Sequence, residues 1–475
     1  MNKKQKEREE QILQEMPWAG RESEFAWPIS DIARRPVSYR LINKRCIRRD
    51  MEVTTPLGYE TTADVLVPVG ENTEELKNQL EQILNTNIHV RMIFLDDCIG
   101  SREVLEYLEN YCREYPESKV VHNERKIGIV STINRGLIIS RSAYVVLLGS
   151  KVSLPSQWLE RLIMPMIKDL TVASVTPFTN HGLIAGFPVP NRRNRLFDDD
   201  PVETTDAIFR EIRSLYTTVP YGVGFCMAMS REVVHKIGVL NQQSFRELDG
   251  ADIEWAMRAA RAGYRNVMAE NLYVKNDRFA TDMLEGERML SRKQEKILRH
   301  ETPEYKEALE QFEQGDPLAE IRAYAFSRMV GTRSERRRII FHQEGDPSAD
   351  AYMRRYIDEK LKENEAVMTV EYSRTAQCYL AALEYDTFRM CFAFETMDQV
   401  LEMGEKITTR RVIMGSLYGF PKVEELMHRV RRFADAQGSR LVIMLLDHFC
   451  ICPTGQLLNL KKQLCRKEQR NCELC

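Results

Sequence analysis

Acidic side chains lie at the end of one predicted strand and around the start of one predicted helix. Asp96 and Asp97 directly follow a predicted strand, and Asp249, Asp252 and Glu254 surround the start of a predicted helix. Carboxylates in such positions can bind ligand hydroxyl groups or accept a proton as a general base. They also cap helices and stabilise the positive end of the helix dipole without any ligand. Residue type alone favours the capping roles. The secondary structure around these residues must therefore show whether they bind a ligand instead.

Strands and helices alternate along the part of the chain that carries these residues. Hydrophobic runs predict strands at 64–69, 91–95, 119–122 and 144–148. Helical patterns separate them, the first opened by a predicted capping box of Asn72 and Glu75. Such alternation predicts an α/β fold with a mostly parallel sheet and helices on both faces, in which ligands bind beyond the carboxyl ends of the strands. Spacing alone therefore predicts a nucleotide-binding α/β protein.

Size and composition limit the number of domains and the classes of ligand. The chain has 475 residues, of which 43% are hydrophobic and 29% charged, so we expect two globular domains rather than one core or a disordered chain. Its 68 basic and 70 acidic residues nearly balance, which argues against general attraction to nucleic acid. Any anion would have to bind at a local site.

Cysteine usage and hydropathy indicate the compartment. Eleven cysteines are an odd number, and the charged N-terminus has no apolar signal core, so we expect a reducing cytoplasm. Apolar runs have the length of strands and do not reach the ~20 residues of a spanning helix. We expect no transmembrane segment, and a protein that is cytoplasmic or peripheral at the inner face of a membrane.

Several segments, taken in order, carry a family resemblance. They are Val65-Leu66-Val67-Pro68-Val69, Phe94-Leu95-Asp96-Asp97, Gly128 with Asn134-Arg135-Gly136, Trp158-Leu159, Thr176-Pro177, Gly224-Phe225-Cys226-Met227, and Gly250-Ala251-Asp252-Ile253-Glu254-Trp255 with Arg258. Together they make residues 62–280 similar to family-2 glycosyltransferases of the GT-A fold. The resemblance implies transfer of a sugar from a nucleoside diphosphate to an acceptor hydroxyl, with inversion at the anomeric carbon.

The resemblance also implies which residues hold the nucleotide. They are Pro68, Val69, Asp96, Asp97, Arg125, Gly128, Asn134, Gly149, Ser150 and Lys151. Asp97 would hydrogen-bond the base or ribose with support from Asp96, the alternative being that both cap the next helix. Arg125 or Lys126 would contact phosphate, although a solvated loop explains both equally well.

Two departures from the family lie on the side of the site where a metal would bind. The family has an Asp-x-Asp pair after the fourth strand, where this chain has Gly149-Ser150-Lys151. It also has a histidine after the last strand, where this chain has Tyr273-Val274-Lys275-Asn276. Since manganese and magnesium prefer carboxylate oxygens, the sequence puts a divalent metal in doubt and predicts no metal ligands here. Lys151 either supplies positive charge to the diphosphate or fills a vacated pocket in a domain without catalysis.

The acceptor side is closer to the family pattern. The resemblance implies that Asp252 is the first candidate for the general base, Glu254 the second, and that Asp249 belongs to the same acidic group. It further places Asn180, Gly224, Phe225, Trp255 and Arg258 around the acceptor and its loops.

A second α/β series begins near residue 336. Asp447-His448-Phe449-Cys450-Ile451-Cys452-Pro453 and the cysteines that follow resemble the end of the N-terminal, acceptor-side half of family-4 glycosyltransferases with the GT-B fold. Leu446 replaces the histidine of that family, and the chain ends at Cys475 before a donor-binding half, so we expect an incomplete family-4 unit. A structural zinc site at Cys452, Cys465, Cys472 and Cys475 competes with free thiols or a loop disulfide.

These observations predict four regions: a helical and basic extension at 1–60, a GT-A domain at 61–281, a charged helical connector at 282–335, and a smaller Rossmann-like domain at 336–475. The resemblance implies a glycosyltransferase that uses a UDP-sugar most readily and builds a bacterial cell-surface polysaccharide or a protein-linked glycan. Its partners would be the glycan or glycoprotein acceptor and other glycosyltransferases. The alternative is a degenerate transferase domain that acts as a binding or scaffold protein in a glycan assembly complex.

Overall fold

The computed structural model of the chain describes residues 37–38, 61–194, 199–212, 216–277, 290–334, 336–374 and 377–446. These residues separate into two compact units. The larger lies within residues 45–322, and the smaller begins at Ala323 and includes residues 37–38. The four regions predicted from the sequence stay a prediction.

The described strands, in chain order, are β1 Val37–Ser38, β2 Thr62–Pro68, β3 His89–Asp96, β4 Lys119–His122, β5 Tyr144–Leu148, β6 Val152–Ser153, β7 Val172–Phe178, β8 His181–Gly182, β9 Arg192–Arg193, β10 Tyr216–Val219, β11 Cys226–Ser230, β12 Arg265–Tyr273, β13 Lys275–Asn276, β14 Arg337–Phe341, β15 Ala366–Ser373, β16 Cys378–Tyr385, β17 Phe388–Phe394, β18 Arg411–Met414 and β19 Arg440–Ile443.

The described helices are α1 Thr73–Ile83, α2 Arg102–Glu114, α3 Ile129–Ile139, α4 Trp158–Lys168, α5 Val202–Phe209, α6 Arg231–Ile237, α7 Leu248–Arg261, α8 Arg292–Glu301, α9 Tyr305–Gly315, α10 Ala319–Arg333, α11 Pro347–Lys362, α12 Met397–Lys406 and α13 Val423–Ala436.

A mixed sheet forms the core of the larger unit. Its described strands follow the order β10-β12-β7-β11-β5-β2-β3-β4. Strands β2 to β5 are parallel, as predicted, but β11 runs antiparallel to both of its neighbours, β5 and β7. Six of the eight described strands of this sheet run in one direction, so the expectation of a mostly parallel sheet is confirmed, and β10 and β11 run the other way. The predicted fold class, an α/β unit with a Rossmann-like mixed sheet followed by a smaller α/β unit, is confirmed.

Local sequence explains the first β-α unit. Strand β2 is buried along most of its length because both faces of this sheet carry helices. The side chain of Asn72 caps α1 by accepting the backbone N–H groups of Glu74 and Glu75. Helix α1 then buries Leu76 and Leu80. The strand end and the helix start are thus fixed on either side of the loop at 69–72.

Two short ribbons lie next to the ends of the long strands. In one of them β6 pairs with β13, so that Val152 lies opposite Asn276 and Ser153 opposite Lys275. Because β6 follows β5 by three residues and β13 follows β12 by one, this ribbon joins the loops that leave two strands of the sheet.

The smaller unit has its own sheet, with described strands in the order β1-β17-β16-β15-β14-β18-β19. Strands β14, β15, β18 and β19 are parallel, whereas β15, β16 and β17 form an antiparallel meander. Helix α11 covers one face by packing Met353 and Ile357 against Ile340, Val367 and Ile413. Among the described helices of the whole chain, none is long and apolar enough to cross a membrane.

Candidate active site

Asp96, the last residue of β3, holds the turn that follows its strand. Its Oδ1 accepts the backbone N–H groups of Ile99 and Gly100, both at 2.9 Å, and its Oδ2 lies 2.7 Å from His122 Nδ1. Burial alone would raise the pKa of this carboxyl group, but these hydrogen bonds lower the pKa below its usual range. Asp96 is therefore ionised and shapes the edge of the sheet next to Asp97.

Asp97 organises the loop between β4 and α3. Its Oδ1 accepts Asn123 Nδ2 at 2.9 Å and the backbone N–H of Ile127 at 2.8 Å, and its Oδ2 accepts the N–H of Gly128 at 2.9 Å. Burial would raise the pKa of Asp97, yet these three donors lower the pKa. Gly128 has φ +95°, a conformation that glycine adopts without strain. Asp97 and Gly128, predicted separately for the nucleotide, form one hydrogen-bonded unit.

The other residues predicted to line the base or the phosphates lie near this unit. Val69 donates its N–H to the carbonyl of Leu95 at 2.9 Å, which brings the end of β2 against β3, and the preceding Pro68 is half-buried. Arg125 and Lys126 are exposed on the loop that Asp97 holds. Their side chains are thus on the surface beside the candidate site.

Asn134 joins α3 to the loop that follows α6. Its Nδ2 donates to the carbonyl of Leu240 at 2.9 Å and to Gln242 Oε1 at 3.1 Å, while its Oδ1 accepts the N–H of Leu240 at 2.9 Å. The sequence predicted that Asn134 fixes a loop near the nucleotide. The loop it fixes is at 240–242.

The tripeptide Gly149-Ser150-Lys151 follows β5 and is held by its first residue. Gly149 donates its N–H to the carbonyl of Phe225 at 2.8 Å and accepts Gln79 Nε2 at 2.8 Å. A Cβ at this position would lie 3.0 Å from Val152 Cγ2 and 3.3 Å from the Phe225 carbonyl oxygen, so the close approach favours glycine. Ser150 and Lys151 are exposed.

Asp277 is a neighbour of this tripeptide that the sequence reasoning missed. Its backbone N–H donates to the carbonyl of Lys151 at 2.9 Å, and its Oδ2 accepts Ser153 Oγ at 2.9 Å. Lys275 Nζ lies 3.6 Å from Asp277 Oδ1. The only sequence signal was its place one residue after Asn276, where the family pattern expects a histidine.

Asp252 combines burial with hydrogen bonds from the backbone. It is 2% exposed, its Oδ2 accepts the N–H of Gly224 at 2.7 Å, and its Oδ1 accepts the N–H groups of Gly250 and Ile253 at 2.9 and 2.8 Å. Burial, reinforced by the charge of Asp249, raises the pKa of Asp252 to about 7. A carboxyl group in this state exchanges a proton near neutral pH, as a general base must.

Two backbone hydrogen bonds bring Asp252 and the tripeptide together. Gly224 donates to Asp252 and the next residue, Phe225, accepts from Gly149. A Cβ on Gly224 would lie 3.1 Å from Asp252 Oδ2, which explains why glycine suits this position. The backbone at 224–225 therefore connects the candidate base to the end of β5.

Glu254, the second candidate for the base, is paired with Arg258. Both of its oxygens accept hydrogen bonds from Arg258, at 2.8 and 3.0 Å. Arg258 also donates to the carbonyls of Ile237 and Val239, and the indole of Trp255 donates to the carbonyl of Gly238 at 2.8 Å. These residues hold α7 to the loop after α6, while Asp252 faces Gly224.

Asn180 and Asn276 are buried and bonded to each other. Asn180 Oδ1 accepts the backbone N–H of Asn276 at 2.8 Å, and the side chain of Asn276 donates to the carbonyl of His181 at 3.2 Å. Asn276, near the place of the expected histidine, thus ties two loops together.

Among the described residues, the side chains around the tripeptide do not form a group of metal ligands. Within the described residues, no three His, Cys, Asp or Glu side chains are grouped closely enough to hold an ion. Asp277 donates its backbone N–H to the carbonyl of Lys151 and lies 3.6 Å from Lys275 Nζ. The cysteines of the predicted zinc site, Cys452, Cys465, Cys472 and Cys475, lie outside the described residues.

Comparison with known proteins finds one family match, which lies within the larger unit. Residues 64–238 match the family model of glycosyl transferase family 2. The family-2 match contains Asp96, Asp97 and the tripeptide, and it ends before Asp249 and Asp252. The predicted resemblance to family-2 glycosyltransferases is confirmed for these residues. The family-4 resemblance of residues 336–475 stays a prediction.

One curated relative and two solved structures are also similar. N-acetylgalactosaminyltransferase 7 of Drosophila melanogaster is 24% identical over 161 residues, which are 33% of this chain and 25% of that protein. The chain thus spans about a quarter of the length of that relative. The crystal structure of GalNAc-T7 with UDP, GalNAc and Mn²⁺ has a TM-score of 0.38 at 15% identity, covering 66% of this chain and 58% of the other. Mannosyltransferase PcManGT from Pyrobaculum calidifontis, in complex with GDP-Man and Mn²⁺, has a TM-score of 0.37 at 12% identity, covering 68% and 87%.

Proposed function

We propose that the larger unit transfers a sugar from a nucleoside-diphosphate sugar, most readily a UDP-sugar, to a hydroxyl of a glycan or protein-linked acceptor, with inversion. The observation that carries the proposal is the environment of Asp252. Its buried carboxyl group has a pKa of about 7 and is linked through residues 224–225 to the end of β5. The family-2 match over residues 64–238 supports the class of reaction.

The reaction follows from these positions. The acceptor oxygen attacks the anomeric carbon while the bond from that carbon to the diphosphate oxygen breaks, so the configuration inverts. Asp252 takes the proton of the acceptor hydroxyl as the new bond forms. Because three backbone N–H groups fix both of its oxygens, the carboxylate is positioned before the acceptor arrives.

The nucleotide would lie at the carboxyl ends of β2 and β3. Pro68 and Val69 would line the base, and Asp97 would hydrogen-bond the base or ribose from its place in the loop that it holds. Arg125 and Lys126 are exposed on that loop and would reach phosphate.

The leaving group would be stabilised without a bound metal. The tripeptide has no carboxylate, and Lys151 is exposed at its end. A lysine ammonium there would place one positive charge against the departing diphosphate. Asp277, hydrogen-bonded to the carbonyl of Lys151 through its backbone, keeps that residue beside the β6–β13 ribbon.

The two departures from the family pattern, at the Asp-x-Asp pair and at the histidine, also favour a second function, that of a binding or scaffold protein. With Gly149-Ser150-Lys151 after β5 and Asn276 engaged in holding loops, the unit would bind a glycan or a partner glycosyltransferase while another protein catalyses. In either case we expect it to work in the cytoplasm, at the inner face of a membrane, in the assembly of a cell-surface or protein-linked glycan.

Calorimetric titration with UDP, GDP and TDP, each with and without manganese, tests the donor site. We expect binding without metal that is weakened in Asp97→Asn, a variant that keeps the shape of the side chain but not its charge. Turnover of the matching nucleotide sugar, lost in Asp252→Asn, would establish the enzyme. Nucleotide binding without turnover of any donor would favour the scaffold, and absence of binding under every condition would refute the donor site.

A further inference from the structure

Helix α8 packs beside the start of α7, the helix that carries Asp252. The sequence predicts that α8 and α9 connect two domains, and in the structure both helices lie within the larger unit. Gln294 Nε2 donates to Glu247 Oε2 at 2.9 Å, and Ser244 Oγ donates to Glu301 Oε1 at 2.7 Å. Because Glu247 directly precedes α7 and Ser244 lies in the loop before it, these bonds hold α8 against the start of α7.

The turn between α8 and α9 is fixed at the other end of α7. Arg261, the last residue of α7, donates from Nε to Glu304 Oε1 at 2.7 Å. The next residue, Tyr305, donates its N–H to the carbonyl of Thr302 at 3.0 Å. Thr302 and Tyr305 are both buried. The turn therefore keeps the ion pair of Glu304 at the surface and directs Tyr305 inward.

Tyr305 meets a second buried tyrosine, Tyr221. The ring centroids are 5.7 Å apart with planes inclined by 41°, and the two hydroxyl groups are hydrogen-bonded to each other. Burial raises the pKa of both hydroxyl groups, that of Tyr305 to about 12, so both keep their protons at neutral pH. Since Tyr221 is 1% exposed, Tyr305 supplies a partner for a hydroxyl group that water does not reach.

Tyr221 begins the segment 221–225, which holds Asp252. Within this segment Gly224 donates its N–H to Asp252 Oδ2 at 2.7 Å. Val223 donates its N–H to Thr176 Oγ1 at 3.0 Å. The hydrogen bond between the tyrosines therefore joins α9 to the same short segment that contacts the candidate base.

Electrostatics places the two tyrosines close to Asp252. The negative charge of Asp252 is one of the causes that raise the pKa of Tyr221 and of Tyr305. Both tyrosines are neutral, so removing one hydroxyl group changes the position and hydration of Asp252 without removing a charge. The charged groups around Asp252 and these tyrosines are Asp249 of α7, Glu295 of α8 and Glu313 of α9.

We propose that Tyr305 is a positioning residue for sugar transfer: through its hydrogen bond to Tyr221 it fixes the segment 221–225 and thereby holds Asp252 in place for the acceptor hydroxyl. The inference rests on the proposed function of Asp252 as the base. Tyr305 lies outside residues 64–238, so it is not part of the family-2 match. Helices α8 and α9 thus support the candidate site as well as connecting the two units.

The Tyr305→Phe variant keeps the ring and removes the hydroxyl group. We expect its kcat to fall about tenfold or more, because a displaced base loses alignment with the acceptor, while the donor KM changes less than twofold. The acid limb of the kcat–pH profile should move to lower pH as water reaches Asp252. Tyr144→Phe, at the start of β5 and far from Gly149, is the matched control and should change neither quantity.

A second variant tests the hydrogen bond itself. Tyr221→Phe should reduce kcat as Tyr305→Phe does, and the double variant should lose little more, because both substitutions remove the same bond. An unchanged kcat in Tyr305→Phe, an equal rise in donor KM, or a lower kcat with an unmoved pH profile would each overturn the positioning role. Should Tyr305→Phe fail to fold, Tyr221→Phe provides the same comparison.

A measurement without turnover separates this inference from the proposed function. Urea denaturation at pH 5 and pH 8 gives the change in stability caused by Asp252→Asn, in the wild type and in Tyr305→Phe. We expect the pH dependence of that change to fall by about half in Tyr305→Phe, since a hydrated Asp252 titrates closer to its ordinary pKa. This result in a protein without turnover would reject the transferase and keep the positioning of Asp252. Equal pH dependence in both backgrounds would refute the positioning, whatever the turnover.

Discussion

Asp252 makes the stability of the larger unit depend on pH in a way that one substitution can isolate. Its pKa is about 7 in the folded chain against an ordinary value of 3.8. Between these values the folded carboxyl group holds a proton that the unfolded chain has released. Raising the pH therefore destabilises the fold through this residue, and the loss is complete above about pH 7. An asparagine at this position does not titrate, so the Asp252→Asn variant should lack this dependence.

The size of the effect follows from the shift. Each unit of pKa corresponds to about 1.36 kcal/mol, so a shift from 3.8 to about 7 amounts to roughly 4 kcal/mol across the full range. Between pH 5 and pH 8 about 3 kcal/mol of this should appear. The variant is also less stable by a constant ~1–3 kcal/mol, because its amide NH₂ group replaces one carboxylate oxygen and cannot accept the backbone N–H that this oxygen accepts.

Urea denaturation of both proteins at several pH values measures this difference. Trp158 and Trp255 are buried in the larger unit, so tryptophan fluorescence follows its unfolding. We expect the difference in free energy of unfolding, Asp252→Asn minus wild type, to increase by about 3 kcal/mol from pH 5 to pH 8. Asp249→Asn should give an intermediate dependence, since the charge of Asp249 contributes to the raised pKa. Parallel stability curves for wild type and Asp252→Asn would refute the reasoning.

Three further substitutions separate the roles within the site. Lys151→Ala should reduce nucleoside-diphosphate affinity about tenfold, with stability unchanged because the side chain is exposed, and equal calorimetric affinities would contradict this. Glu254→Gln should cost roughly 1–3 kcal/mol in thermal or urea unfolding, since it weakens the pair with Arg258, while nucleotide affinity should persist. Gly224→Ala should lower turnover more than donor affinity, because its Cβ would lie 2.9 Å from Leu248 Cδ2 and 3.1 Å from Asp252 Oδ2; equal losses in kcat and affinity would argue otherwise.

Hydrophobic periodicity predicted the regular elements of the larger unit well. The bounds predicted for β4 and β5 agree with the structure because each is a clear apolar pattern between polar turns. Periodicity does not carry strand direction, however, and the antiparallel course of β11 could not be read from its sequence. In the smaller unit the sequence of β16 does not indicate a strand, since it is alanine-rich and lacks the β-branched residues that mark strands.

Within the candidate site, the sequence does not show which contacts the predicted residues make. The i, i+4 spacing of Glu254 and Arg258 is typical of an ion pair on one helix face. The structure shows this pair. The partners of Asp97 come from a loop about thirty residues later and depend on the tertiary fold. Asp277 was missed because its neighbours are brought together by the β6–β13 ribbon, a contact across more than a hundred residues that no local pattern encodes.

The reversed course of β11 determines where this unit can accept new sequence. Since β11 starts opposite Leu148, at the end of β5, and finishes opposite Tyr144, its entry and not its exit lies at the candidate site. A peptide inserted after Ser230 would emerge at the far edge of the sheet, away from Asp252. The same peptide inserted before Cys226 would separate from β11 the two neighbouring residues, Gly224 and Phe225, that hold Asp252 and Gly149. Grafting a tag or a loop at these two points would therefore have opposite consequences, although only five residues of strand lie between them.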